Sequence, residues 1–479
     1  MQITDLQPKE IWENFSNLNA VPRPSKKEER VIQFMVDFGK SLGLETHTDK
    51  VGNIIIKKPA TKGMEDRPTV ILQSHVDMVH QKNNDTDFDF ETEGINMYVD
   101  NDWVRAKGTT LGADNGIGVA AIMGVLASKN IQHPAIEGMF TVDEETGMTG
   151  AKELEPEYYD GTILLNLDTE DDDEISIGCA GGIDTNTTYE YEELYSLEDV
   201  KTYQIDLKGL LGGHSGMDIH KGHANANKLM VRFLYEAEMD VILHSFEGGG
   251  LRNAIPREAV AVISILTTDV KAFENHLAKS KENFVAEYGT IEKNLSLSSK
   301  EVETPHKMVA GHEFIKMLQL LYAVHNGVYK MSLDFEGLVE TSSSLAQVTI
   351  KDGIFETKSL QRSSVESTKT DVANTIKSAF ELFGADVEQS GDYPGWEPNP
   401  DSPILKLIKS LYIEKYKEEP NVLAGHAGLE CGILGKHLPH VDMISFGPNI
   451  RNAHSPDECV QISSVQKFWD FLLTVLKKI

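Results

Sequence analysis

Four short apolar runs, at residues 69–72, 138–142, 162–167 and 441–446, constrain the fold most. Each has the length and composition of a buried strand. Helical patterns separate them, notably at residues 116–128. Strands alternating with helices imply an α/β sheet, largely parallel. Polar or glycine-containing loops follow all four runs. Ligands in such sheets bind at the carboxyl ends of the strands, so the residues there carry the functional argument. Upstream, Ser25-Lys26-Lys27-Glu28 reads as a capping box. Val31, Met35, Phe38 and Leu42 then follow at helical spacing, and Gly43 supplies a stop.

After the cluster Gly178-Cys179-Ala180-Gly181-Gly182 the order of elements changes. Strands are expected at 202–207, 241–245 and 259–266, with helices at 225–236 and 270–288. A second group of similar order follows: helix 312–324, strands 346–350 and 354–360, helix 368–383. The pattern is that of two α+β half-units, as a duplication would produce. Turn formers crowd residues 391–400 and return the chain to its first domain. The expected division is one domain built from 1–184 and 391–479, with 185–390 inserted between.

The chain carries 45 basic and 75 acidic residues, a net charge of −30. Such a surface repels phosphate backbones and anionic lipids, which argues against nucleic acid and membrane partners. No segment reaches the roughly 20 apolar residues of a membrane span. The first residues lack a basic stretch followed by an apolar core, so no signal peptide is expected. Cys179, Cys431 and Cys459 are odd in number and far apart, which suits a reducing, cytoplasmic setting rather than a disulfide framework.

Nitrogen and carboxylate donors gather at the strand ends. Ser74-His75-Val76-Asp77 closes the first, where His75 could bind a metal and Asp77 fix its tautomer. In Gly112-Ala113-Asp114-Asn115-Gly116, Asp114 suits either a helix cap or a carboxylate bridging two cations. Asp143-Glu144-Glu145 leaves the second strand, and adjacent acids with different roles suit a hydrolytic metal site. Asp168 ends the third run, and His454 follows the fourth in Asn452-Ala453-His454-Ser455-Pro456-Asp457-Glu458. Donors without thiolates suit zinc, with manganese or cobalt as substitutes.

The ordered set SHVD, GADNG, DEETG, NLD and AHSPDE resembles the M20 family of co-catalytic metallopeptidases. The likeness extends to its branch of cytosolic aminoacyl-histidine (Xaa-His) dipeptidases. That branch is carried by Lys82-Asn83-Asn84-Asp85-Thr86, Gly178–Asp184, Gly212-Gly213-His214-Ser215-Gly216, Leu251–Glu258 and the HAGLECG stretch at 426–432. The resemblance implies a di-metal catalytic domain, with a mostly parallel central sheet flanked by helices, and an inserted α+β lid domain. It implies that two divalent ions are held, one by His75 and Asp168, the other by Glu145 and His454, with Asp114 bridging. Asp77 would orient His75, and Glu144 would be the general base. His214 would contact the substrate carbonyl oxygen from the lid. Asn253, Arg362 and Gly428 would contact substrate, Arg362 through the C-terminal carboxylate. His426 and Glu430 would either contact the peptide ends or belong to a packed loop.

The expected reaction is hydrolysis of a small dipeptide, preferentially Xaa-His such as β-alanyl-histidine. An amidohydrolase acting on N-acyl amino acids, or a broader peptidase, would share the metal site and differ in the lid. An inactive metal- or peptide-binding scaffold is the reading from another class, and the pair Glu144-Glu145 argues against it. A homodimer is compatible with the lid acting across two chains.

Overall fold

A computed structural model describes residues 2–426 and 428–479. The chain divides into two compact units. Unit 1 comprises Met1–Gly178, Pro398–Ala424 and Leu429–Ile479, and unit 2 comprises Cys179–Glu397 with the short return Gly425–Gly428.

Unit 1 is built on an eight-stranded sheet. Its centre is four adjacent parallel strands: Ile136–Thr141, Val70–His75, Ile163–Asn166 and Asp442–Ser445. These coincide with the four apolar runs. Every residue of the first two is buried, as parallel strands covered on both faces must be. The margins differ from the expectation of a mostly parallel sheet. Glu45–Thr48 and Ile54–Lys58 add antiparallel on one side, and Glu174–Cys179 pairs antiparallel with Asp442–Ser445 on the other. The sheet is mixed, with a parallel centre.

Helix Ala113–Ala127 packs beside the central strands and is buried along nearly its whole length. Its alanines and glycines allow that approach. A Cβ on Gly118 would stand 2.4 Å from Ser74 Oγ and 2.7 Å from the Leu167 carbonyl, so only glycine brings the helix start this close to two strand ends. Helix Lys9–Asn19 covers it with Ile11, Trp12, Phe15 and Leu18.

A small four-stranded sheet, invisible in the apolar pattern, joins Ile450–Arg451, Cys459–Gln461, Trp103–Ala106 and Met97–Asp100 in that order. The first two form an antiparallel hairpin whose loop carries His454. No helix among the described residues is long and apolar enough to cross a membrane.

Unit 2 is a nine-stranded sheet, antiparallel at every described pairing, with helices Ala226–Tyr235, Val270–Tyr288, Gly311–Ala323 and Glu366–Phe383 over one apolar core. The two groups of elements read from the sequence join in this one sheet, where Ile242–Gly248 pairs with Val339–Lys351.

The capping box at Ser25 does not form. Helix Glu29–Ser41 starts after Glu28 without a side-chain cap. Ser25 Oγ instead donates to Asp77 Oδ2 at 2.8 Å, and Glu28 Oε1 accepts the amides of Lys26 and Asp143. A tertiary carboxylate outcompetes the local helix end for the serine hydroxyl.

Candidate metal centre

The carboxyl ends of the parallel strands bring six donors of unit 1 together. His75 is the last residue of its strand, Asp168 lies just past another, and Glu144 and Glu145 follow Thr141. Asp114 enters from the start of helix Ala113–Ala127, and His454 from the hairpin loop. The helix cap is Gly112, so Asp114 does not cap; Asp114 and Asn115 depart from helical dihedrals.

The two oxygens of Asp114 are divided. Oδ1 lies 3.2 Å from Nε2 of His75, and Oδ2 lies 3.2 Å from Nε2 of His454. His75 Nε2 is also 3.7 Å from Asp168 Oδ1, and His454 Nε2 is 3.0 Å from Glu145 Oε2. Two ligand atoms each ~2.1 Å from one ion, at the tetrahedral angle, stand roughly 3.4 Å apart. The observed separations fit that value. Among the described residues, three groups of donors lie within 4.8 Å of one another: His75/Asp114/Asp168, Asp114/Glu145/His454 and His75/Glu144/Glu145. Four carboxylates against two imidazoles leave negative charge in excess, so the donor set suits divalent cations.

The electrostatics follow that imbalance. Burial pushes the carboxyls of Glu144 and Asp168 well above the usual range, and the neighbouring carboxylates push further. Burial acts upward on Asp114 too, but the hydrogen bonds to His454 and His75 hold it below the ordinary value. His454, paired with Asp114 and Glu145, is lifted to about 11.

Two buried acids organise the loops. Asp77 is fully buried, stands 3.3 Å from His75 Nδ1, and accepts the amides of Glu144 at 3.1 Å and Glu145 at 3.3 Å. It thus ties the end of one strand to the turn after its neighbour. Asp143 belongs to that turn: it has a left-handed φ of +55° and accepts the hydroxyls of Thr146 and Thr149. Of the three consecutive acids, only Glu144 and Glu145 face the cluster. The second organising acid, Glu458, accepts amides of residues 111–114. It stands inside the AHSPDE motif, yet nothing in the motif shows what it binds. Arg23, also buried, donates to the carbonyls of Val76, Asp77 and Gly112; no sequence signal marked it.

Glu430 lies in unit 1 beneath the cluster, where Oε2 accepts from Gln73 Nε2 and Thr141 Oγ1, both at 2.7 Å. These side chains come from adjacent central strands, so Glu430 cross-links the platform that carries His75 and Glu144.

The remaining candidates lie in unit 2. His214 Nδ1 accepts the amides of Gly216 at 3.2 Å and Met217 at 3.0 Å. Burial, with Arg362 adding to it, lowers this imidazole to about 4, so it is neutral at pH 7 with its proton on Nε2. Arg362 is buried; Nη1 donates to the Tyr393 hydroxyl at 2.8 Å, and Nε lacks a partner. Gly428 packs against the same tyrosine ring. His426 Nε2 stands 2.8 Å from Ser342 Oγ. Asn253 is exposed in a turn, its carbonyl accepting from the Ser215 amide.

The chain is 42% identical over 480 residues to the cytosol non-specific dipeptidase of Escherichia coli (strain K12), covering 100% of this chain and 99% of that protein. It is 44% identical to the solved aminoacylhistidine dipeptidase from Vibrio alginolyticus, with a TM-score of 0.95 over 100% of this chain and 98% of that one. An aminopeptidase from Bacillus cereus shares the fold at 17% identity and a TM-score of 0.57, over 99% of each chain. The model of peptidase family M20/M25/M40 matches residues 71–478, a span that runs from the first central strand to the last helix and takes in every donor of the cluster. By its sequence over that span, the chain belongs to peptidase family M20/M25/M40.

Proposed function

We propose that this chain is a metal-dependent dipeptidase that cleaves Xaa-His dipeptides such as β-alanyl-histidine, with Glu144 as general base. The observation that carries the reading is the division of Asp114, one oxygen toward His75 and the other toward His454. A carboxylate shared in this way suits two cations side by side. His75 and Asp168 would hold one, and Glu145 and His454 the other, with zinc the best match to imidazole and carboxylate donors and manganese or cobalt as substitutes. When bound, such ions polarise a carbonyl and lower the pKa of water to ~7.

Glu144 takes the proton of the attacking water and returns it to the leaving amine. Its burial favours the protonated carboxyl, which suits the second half of that exchange. Asp77 holds Glu144 and Glu145 through their backbone amides, so the base and its neighbour keep their places while the proton moves. The Nε2 proton of His214 suits a carbonyl oxygen, and the Arg362 guanidinium suits a C-terminal carboxylate. Asn253 and Gly428 belong to the same substrate-contacting set. The names of the Escherichia coli and Vibrio alginolyticus relatives support a dipeptide substrate, and the former supports a cytosolic setting.

The test is turnover of a dipeptide panel by metal-stripped and zinc-restored protein, including N-acylated analogues. Activity should vanish on stripping, return with close to two ions per chain, and require a free amino terminus. Glu144→Gln should keep both ions and lose at least ~10²–10⁴-fold in kcat. Glu145→Gln should lose one ion. Turnover of N-acyl amino acids instead would replace the dipeptidase reading, and retained metal in Glu145→Gln with lost metal in Glu144→Gln would reverse the two roles.

A further inference from the structure

The loop of His454 lies at the exposed side of the cluster. It is a surface hairpin loop with left-handed φ at Asn452 (+55°) and His454 (+64°), and the His454 side chain is 56% exposed. Its internal hydrogen bonds are local: Ser455 Oγ donates to the Asn452 carbonyl, and the Asp457 amide donates to Ser455 Oγ. Arg105 adds one bond, at 3.3 Å, to the Asp457 carbonyl. These shape the loop without fixing it against Asp114.

Glu458 does make that connection. It is 2% exposed. Oε2 accepts the amides of Leu111 at 2.7 Å and Gly112 at 3.0 Å, and Oε1 accepts those of Ala113 at 2.7 Å and Asp114 at 3.2 Å. The first amides of a helix have no partner within the helix. Here the cap residue, Gly112, has no side chain to supply one. One carboxylate therefore takes four donors that would otherwise be stranded in the interior. From the other side Arg23 Nη2 holds the Gly112 carbonyl at 2.6 Å, so the segment leading into Asp114 is gripped through both its amides and a carbonyl.

We propose that Glu458 is a positioning residue of the metal centre, which sets the Asp114 carboxylate and the His454 imidazole at the spacing two ions require by clamping residues 111–114 to the loop of His454. It touches neither substrate nor ion. The inference rests on the two-ion reading of the cluster.

The experiment is calorimetric titration of metal-free protein with zinc ions, for wild type and Glu458→Gln, with melting temperatures recorded with and without zinc. Glutamine keeps the shape but turns an NH₂ donor toward two backbone N–H groups, so those amides lose their acceptor. Loss of such a supporting contact typically costs 10–100-fold in metal affinity. We expect Glu458→Gln to weaken zinc by about that factor, with the larger loss in the second ion bound. Excess zinc should restore kcat, with KM unchanged. A merely structural role would lower the melting temperature equally with and without zinc, and identical zinc affinities would overturn the proposal. Should Glu458→Gln fail to fold, Glu458→Asp keeps the charge with a shorter reach: weakened zinc supports the clamp, and unchanged zinc overturns it. Wild-type protein that binds no zinc would instead overturn the two-ion reading itself, and the clamp with it.

Discussion

Nη2 of Arg362 lies 3.4 Å from Nε2 of His214, and both atoms carry hydrogen. The imidazole proton is forced to Nε2 because Nδ1 already accepts two backbone amides. Two donors that face each other cannot satisfy one another, so each is left for an acceptor oxygen of its own. The Tyr393 hydroxyl, 2.8 Å from Nη1, orients the guanidinium for that purpose.

If the acceptor at Arg362 is the substrate's C-terminal carboxylate, Arg362→Met should raise KM for β-alanyl-histidine. A hydrogen bond to a charged group contributes roughly 1.5–3 kcal/mol, or about 10–100-fold. The corresponding dipeptide amide should be nearly unaffected. Steady-state kinetics on the acid and amide forms check this. An equal loss on both would assign Arg362 to the scaffold.

Ser25 and Asp77 separate a tertiary role from a helix-capping role. Asp77→Asn should weaken metal binding by about 10–100-fold, because the side chain that orients His75 and the Glu144–Glu145 turn loses its charge. Ser25→Ala removes one donor to Asp77 and should act in the same direction to a smaller extent. Metal titration of both variants is the check. A loss of ~1 kcal/mol in stability for Ser25→Ala, with unchanged metal affinity, would return Ser25 to the helix end.

The pH dependence of stability should carry the mark of two histidines, one buried and one half-buried. Burial, with Arg362 adding to it, lowers His426 to about 3 and His214 to about 4. Both titrate near 6.5 in an unfolded chain. As pH falls below ~6.5, the unfolded chain takes up protons that the folded chain refuses, so stability falls with pH. Above that value both rings are neutral in both states and add no slope. Between pH 6.5 and 4, wild type should therefore lose more melting temperature than His426→Gln. Parallel slopes would mean that His426 is protonated within the fold.

The centre of unit 1 is legible in the amino-acid sequence. The apolar runs at 69–72, 138–142, 162–167 and 441–446 became its four parallel strands, and His75, Glu144, Glu145 and Asp168 stand at their carboxyl ends. This was legible because burial on both faces imposes a local, continuous apolar pattern, and because strand ends follow from where that pattern stops. The antiparallel margins and the small sheet behind His454 were not legible, since strands exposed on one face carry weaker patterns. The partners of the polar groups emerge only once the chain is folded. Ser25 left its expected helix end for Asp77, Asp143 joined a turn while its neighbours faced the cluster, and Glu458 reached back 344 positions to the Asp114 amide. A buried carboxylate must find donors, but many donors along a chain satisfy it equally well, and only the folded backbone determines which are within 3 Å or so of it.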